Sequence, residues 1–347
     1  MDIVLIALKV IGSIIGLILL EMVTVTFIPG MKVPEQPLEV AAQPAGEVDT
    51  KPPAGREDVS FEVKGTSLSA WLYLPEDVST QVPCIIMGHG FGGTKNMLLE
   101  RYAVRYQAAG YAVLAFDYRH FGESGGEPRQ LMLLSYQLED YRAAIQYTRG
   151  LEEIDSARIA LWGTSASGGY GIVIAAEDST IACVVAQCPG LDHDASSKMF
   201  MKQLGLRHMF RLFFHGQRDM GRSRIGLSPH KIPIVGKPGT VAFFPLADAY
   251  DGYSKLASKS FVNQVCARVI LRSGGFDPSK AIRNVSRPVL VQICDYDSLA
   301  PISPETEIEL RQYADVKRYP IGHFDIYTGD HFEKAVSDQL EFFKKNL

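Results

Sequence analysis

Cysteine is scarce and unorganised in this sequence. The five residues Cys84, Cys183, Cys188, Cys266 and Cys294 form no CxxC pair and no zinc-type spacing, which leaves no disulfide framework or redox motif to read. Most lie in apolar runs, where a free thiol acts as a small hydrophobe. A charge excess is missing as well: 35 Lys and Arg face 39 Asp and Glu, for a net charge of −4. Near neutrality gives no electrostatic footprint for nucleic acid, so no nucleic-acid partner is expected. There is no internal repeat. What is present is ordinary globular material, 46% apolar and 21% charged over 347 residues, which excludes disordered, collagen-like and coiled-coil chains.

The apolar share is uneven. Residues 3–20 are apolar except for Lys9, Gly12, Ser13 and Gly16. At helical rise such a run covers about 27 Å, close to the hydrocarbon thickness of a bilayer. An uncleaved membrane anchor over residues 1–28 is the expectation, with Lys9 snorkelling to the interface. It makes the membrane a partner and the protein membrane-associated. A cleaved signal peptide lacks its basic n-region and its Ala-x-Ala site here. A hydrophobic helix docked on the protein is the third reading. Residues 29–55 hold six prolines, and no aromatic stands between Phe27 and Phe61. That composition reads as a linker.

From residue 56 onward strands and helices alternate. Residues 59–63 and 68–74 alternate in polarity around Lys64-Gly65, as in a hairpin. The continuous apolar run over 82–87 and the segments 111–116, 158–162 and 181–186 read as buried strands, and 289–293 and 316–319 as later strands, with helical patterns between them. Buried strands alternating with helices predict an α/β fold with a mostly parallel central sheet and helices on both faces. Functional residues of such a sheet are expected just after the strands.

Gly163-Thr164-Ser165-Ala166-Ser167-Gly168-Gly169 follows one strand and precedes a helix, the context of a G-x-S-x-G nucleophile elbow. Ser165 is the candidate nucleophile. Ser167 replaces the usual final glycine. A register that makes Ser167 the nucleophile would bury it inside the helix. The bland alternative is a serine capping a helix in a glycine-rich turn. Met87-Gly88-His89-Gly90-Phe91-Gly92-Gly93 follows an earlier strand. Its backbone amides can face developing negative charge. It has neither the Lys-Ser/Thr ending of a P-loop nor dinucleotide spacing. An oxyanion hole would take one N–H from Ala166 and one from Phe91, with Gly90 as the alternative to Phe91. His89 and Gly90 would face the substrate.

The acid and base of a triad should follow in the order Ser, Asp, His. Asp297 and Asp295 lie after the strand at 289–293, and His323 lies after the strand at 316–319. Imidazole titrates near neutrality and can take a serine proton, which makes His323 the expected base. His331 is the weaker candidate. Asp297 fits the acid better than Asp295, being nearer the turn before Pro301.

These motifs resemble the α/β-hydrolase superfamily from about residue 56 to the end. They are similar above all to its dienelactone-hydrolase-like and X-Pro-dipeptidyl-peptidase-like branches and to the polyketide transferases. The loop His89-Gly90-Phe91-Gly92, the stretch Phe116 to Arg129, the elbow, Asp297 and His323 carry the resemblance. It implies acyl chemistry without metal or organic cofactor. Inside this domain, residues 192–286 exceed the one helix that a plain fold needs, and read as a helical cap insertion. Met199, Phe200, Met209, Phe210 and Phe213 recur there at helical spacing. They are the expected apolar wall for the substrate, since methionine conforms to irregular shapes; ordinary packing of an amphipathic helix is the plainer reading.

Three functions follow. The first is a serine hydrolase for a small-molecule ester or thioester of an apolar acyl group. The second is an acyltransferase using the same acyl-enzyme. The third is a non-catalytic, membrane-tethered binding protein on the same fold.

Overall fold

The computed structural model describes residues 2–27, 31, 33–38, 52–76, 80–258, 260–272 and 276–347. The opening apolar run folds as helix α1 (Asp2–Phe27). The body of the protein takes up its last turn. Val25 and Thr26 are buried, and the Arg218 guanidinium donates to the Val25 carbonyl at 2.9 Å. The expected membrane span is corrected here: no helix among the described residues is long and apolar enough to cross a membrane. Lys9, Ser13, Glu21 and Thr24 interrupt the run. The turn that was to give it length to spare is docked on the protein. The membrane partner and the membrane-associated localisation read from that span fall with it.

The hairpin β1 (Arg56–Val63) and β2 (Thr66–Tyr73) turns through Lys64 at φ 51° and Gly65 at φ 79°. A two-residue turn with both φ positive matches the twist of its strands. Then come β3 (Val82–Gly88), α2 (Leu99–Ala108), β4 (Ala112–Phe116), α3 (Leu134–Arg149), β5 (Ile154–Thr164), α4 (Ala166–Glu177) and β6 (Cys183–Gln187). With β9 (Val289–Cys294) and β10 (Asp315–Tyr319) from the end of the chain, the eight-stranded sheet runs β1-β2-β4-β3-β5-β6-β9-β10. Its first two pairings are antiparallel and the rest parallel. Alternate side chains feed two cores. Ile86, Leu114, Leu161 and Val184 pack with α3 and α4 on one face. Ile85, Val113, Trp162 and Val185 pack with α2 and the last helix on the other. Burial on both faces is what makes these strands continuous apolar runs.

Between β6 and β9 lies an insert of α5 (His193–Arg224), β7 (Lys231–Ile232), α6 (Ala247–Leu256), β8 (Val265–Cys266), α7 (Val269–Arg272) and α8 (Pro278–Ala281). Helix α5 breaks at Gly205, whose φ is 71°. The insert has its own core around Leu212, Ile234, Val235, Phe244 and Tyr253. Val33 and Leu38 pack against it, although they lie in the stretch expected as linker. Residues 29, 30, 32 and 39–51 of that stretch are outside the described residues. The chain closes with β9 (Val289–Cys294), α9 (Pro304–Leu310), β10 (Asp315–Tyr319) and α10 (Gly329–Asn346).

Candidate active site

The parallel strands β3, β5, β9 and β10 end on one side of the sheet, and the candidate residues follow them. Ser165 sits between β5 and α4 at φ 54°, ψ −119°. A non-glycine residue at such angles costs about 1–3 kcal/mol and persists only where its surroundings enforce it. Here the enforcement is visible. The Ser165 N–H donates to the Gln187 carbonyl at 2.9 Å, and its own carbonyl accepts from Gly168 and Gly190 at 3.1 and 2.9 Å. A side chain at Gly163 would overlap the Ser167 carbonyl, and one at Gly90 would come within 3.2 Å of the Ser165 Cβ. The glycines therefore let the elbow and the Gly-rich loop approach each other.

His323 Nδ1 lies 2.6 Å from Asp297 Oδ2. The other carboxylate oxygen accepts from the Leu299 and Ala300 amides at 2.8 and 2.7 Å. The carboxylate can only accept, so Nδ1 carries a proton in either charge state of the ring, and Nε2 is bare once the ring is neutral. Both residues are buried. Burial is the largest single effect and disfavours the charged imidazole, but the charges of Asp297, Cys188 and Asp248 and the Asp297 hydrogen bond together outweigh it and lift His323 to about 9. Asp295 instead pairs with Arg318 at 2.6 Å on the surface, and His331 is exposed on α10.

Two cavities meet at Ser165. A small one of about 40 Å³ is lined by His89, Gly90, Phe91, Ser165, Tyr253 and His323, among others. A larger one of about 210 Å³ reaches from Ser165 and Ala166 into the insert. Its walls include Phe91, Met132, Tyr170, Phe200, Phe243, Phe244 and Phe276. Phe243 stacks on Phe91 at 4.4 Å between centroids. The Tyr253 hydroxyl donates to the Phe91 carbonyl at 2.6 Å. No group of three or more His, Cys, Asp or Glu among the described residues is placed to hold a metal ion.

The X-Pro dipeptidyl-peptidase (S15) family pattern matches residues 64–217. The quorum-quenching protein AidA of Acinetobacter baumannii is 40% identical over 294 residues, spanning 83% of this chain and 94% of AidA. The crystal structure of the α/β hydrolase GrgF from Penicillium sp. sh18 superposes with a TM-score of 0.69 at 23% identity, covering 84% of this chain and 98% of GrgF. The chain belongs to the α/β-hydrolase superfamily. The polyketide transferase ATR5 of Stachybotrys chlorohalonatus is a further relative, 29% identical over 304 residues, with 84% of this chain and 98% of that one covered.

In this α/β hydrolase the structure brings together Ser165, Ala166, Phe91, Gly90, His323 and, behind the histidine, Asp297. Of the expected apolar wall it places only Phe200 in the pocket. Met199, Met209, Phe210 and Phe213 do not line it, and Phe210 is 58% exposed. The expectation ran one helical face through Gly205, and the break there ends that face. His89 borders the small cavity beside Ser165 and His323 but not the larger one. Its ring is held by the loop itself, with Nδ1 2.9 Å from the Gly90 carbonyl. Sequence reasoning missed Phe243 and Phe244, whose only signal was an apolar run inside a Pro- and Gly-rich stretch.

Proposed function

We propose that this α/β hydrolase is a serine hydrolase that cleaves an ester or thioester of a compact apolar acyl group. The observation that carries the reading is the buried His323–Asp297 pair, 2.6 Å apart, in a cavity shared with a strained Ser165. Ser165 Oγ attacks the acyl carbonyl carbon while His323 Nε2 takes its proton. The N–H groups of Ala166 and Phe91 receive the oxyanion. The carbon–oxygen or carbon–sulfur bond then breaks, and His323 returns the proton to the leaving alcohol or thiol. Water repeats the sequence to free the acid. Asp297 holds the imidazole tautomer and stabilises the imidazolium.

Residues 56–347 form the catalytic unit in this reading, with 192–286 capping it. The pocket of about 210 Å³ is smaller than the roughly 300–1,000 Å³ typical of drug-sized ligands, which supports a compact acyl group. The quorum-quenching name of the Acinetobacter relative supports a small diffusible substrate. A fluorophosphonate probe should label the wild-type chain and leave Ser165→Ala unlabelled. Labelling that survives in Ser165→Ala and disappears in Ser167→Ala overturns the assignment.

The polyketide transferase relative and the aromatic pocket wall favour a second reading, transfer of the acyl group to an alcohol or amine. Product analysis on an activated ester, with and without added alcohol, separates the two. Hydrolysis gives the free acid in both cases, and transfer gives a new ester that grows with alcohol concentration.

A further inference from the structure

Ser167, the departure from the usual elbow glycine, is fully buried in the first turn of α4. Its hydroxyl donates to the His89 carbonyl. Its single proton is used there, so the 2.7 Å contact with Tyr118 Oη is one in which the tyrosine donates. Tyr118 and His89 are buried as well. Gly88 is what admits this contact: a Cβ there would lie 2.7 Å from Tyr118 Oη and 3.0 Å from the Ser167 Cβ.

The line continues into the Gly-rich loop. His89 Nδ1 faces the Gly90 carbonyl at 2.9 Å, and that carbonyl also accepts from the Gly93 N–H at 3.1 Å. A carbonyl only accepts, so Nδ1 is the protonated nitrogen. Burial holds the His89 imidazole below its ordinary range, in keeping with a neutral ring. The peptide joining Gly90 to Phe91 is planar and trans, so its N–H lies opposite its C=O. Pinning the Gly90 carbonyl therefore pins the direction of the Phe91 N–H, on the edge away from His89.

We propose that Ser167 is a positioning residue: its hydroxyl ties the elbow to the Gly-rich loop and so fixes the Phe91 N–H that receives the oxyanion. The proposal rests on the serine-hydrolase reading above. It gives Tyr118, Ser167 and His89 one joint task, which a glycine at position 167 could not perform. The hydroxyl makes no contact with the reacting atoms; it acts through the loop.

The test uses the full chain, an activated ester, and a trifluoromethyl ketone as transition-state analogue. Active sites are counted by fluorophosphonate labelling taken to completion. In Ser167→Ala, kcat per titrated site should fall about tenfold, less than the 10²–10³-fold that follows outright loss of an oxyanion donor. KM should stay within about twofold, because only the transition state loses an interaction. Affinity for the ketone should fall by the same factor as kcat. Tyr118→Phe should show the same split, and the double variant should be no worse than Ser167→Ala alone, since both changes break one link. Should Ser167→Ala fail to fold, Tyr118→Phe carries the test with Ser167 in place. Unchanged kcat per titrated site, a fall confined to the number of titratable sites, or ketone affinity unmoved while kcat drops overturns the proposal and leaves the hydrolase reading standing. A wild-type chain that neither labels nor turns over any ester or thioester overturns both.

Discussion

Asp295 and Asp297 stand two residues apart in one loop, and their surroundings divide their roles. Asp295 meets a surface arginine. Asp297 is buried, accepts two amides on one oxygen and faces His323 with the other. Chain order and distance from Pro301 were enough to favour Asp297, because those cues are local. The strength of its coupling to His323 is not local and was invisible in the sequence. With His323 raised to about 9, the free enzyme holds an imidazolium at neutral pH, and the base forms only as pH rises. The kcat/KM profile should therefore climb through a limb centred near 9. The same shift bears on folding. A histidine raised in the folded state contributes stability that is complete below about 6.5 and is lost as pH rises through about 9. Asp297→Asn removes the largest of the charges that raise His323, so the limb should move to lower pH while kcat falls on the order of 10³–10⁴-fold. A wild-type limb at or below the ordinary imidazole range contradicts the pairing.

At the scale of elements, the elbow was legible because strand, tight turn and helix must follow one another in sequence. The reason for each glycine was not. Position 163 excludes a side chain because the Ser167 backbone occupies its space, whereas a Cβ at Gly190 would meet only Ser165 O at 3.8 Å and Ala166 Cα at 4.0 Å. Gly163→Ala should destabilise the chain by about 1–3 kcal/mol or more, as overpacking against backbone does, and should cut fluorophosphonate labelling. Gly190→Ala, beside the same turn, should keep both near wild type. Chemical denaturation and labelling rates check the contrast, and equal effects of the two substitutions would contradict it. The pocket wall shows the opposite limit. Helical spacing was a sound signal for a helix over 199–213, but Gly205 ends the face that spacing assumes. Phe243 and Phe244, which line the pocket with Phe200, come from a stretch with no period to read.

Across the whole molecule, one asparagine contributes to the link between the N-terminal segment and the pocket wall, beside the packing of Val33 and Leu38. Asn263 accepts from the Val235 N–H at 3.0 Å, donates to the Val235 carbonyl at 2.9 Å and donates to the Gln36 carbonyl at 2.8 Å. Val235 bridges to Phe244, which meets Phe91 edge to face. Residues 33–38 thus bear on the loop that supplies a candidate oxyanion donor, through contacts far apart in sequence. Composition described those residues well as proline-rich, but it contains no record of what a backbone carbonyl will meet. Asn263→Ala leaves the Val235 groups without their side-chain partner, a loss of about 1–3 kcal/mol that should lower Tm by a few degrees. Because Phe244 loses its anchor, KM for an apolar ester should rise several-fold while kcat per titrated site changes little. Gln36→Ala is the matched control: Gln36 offers Asn263 only its backbone carbonyl, so this variant should melt and bind as the wild type does. A Gln36→Ala variant as impaired as Asn263→Ala would place the effect in the Gln36 side chain and not in the backbone of residues 33–38, and an Asn263→Ala variant with unchanged KM would uncouple the N-terminal segment from the pocket.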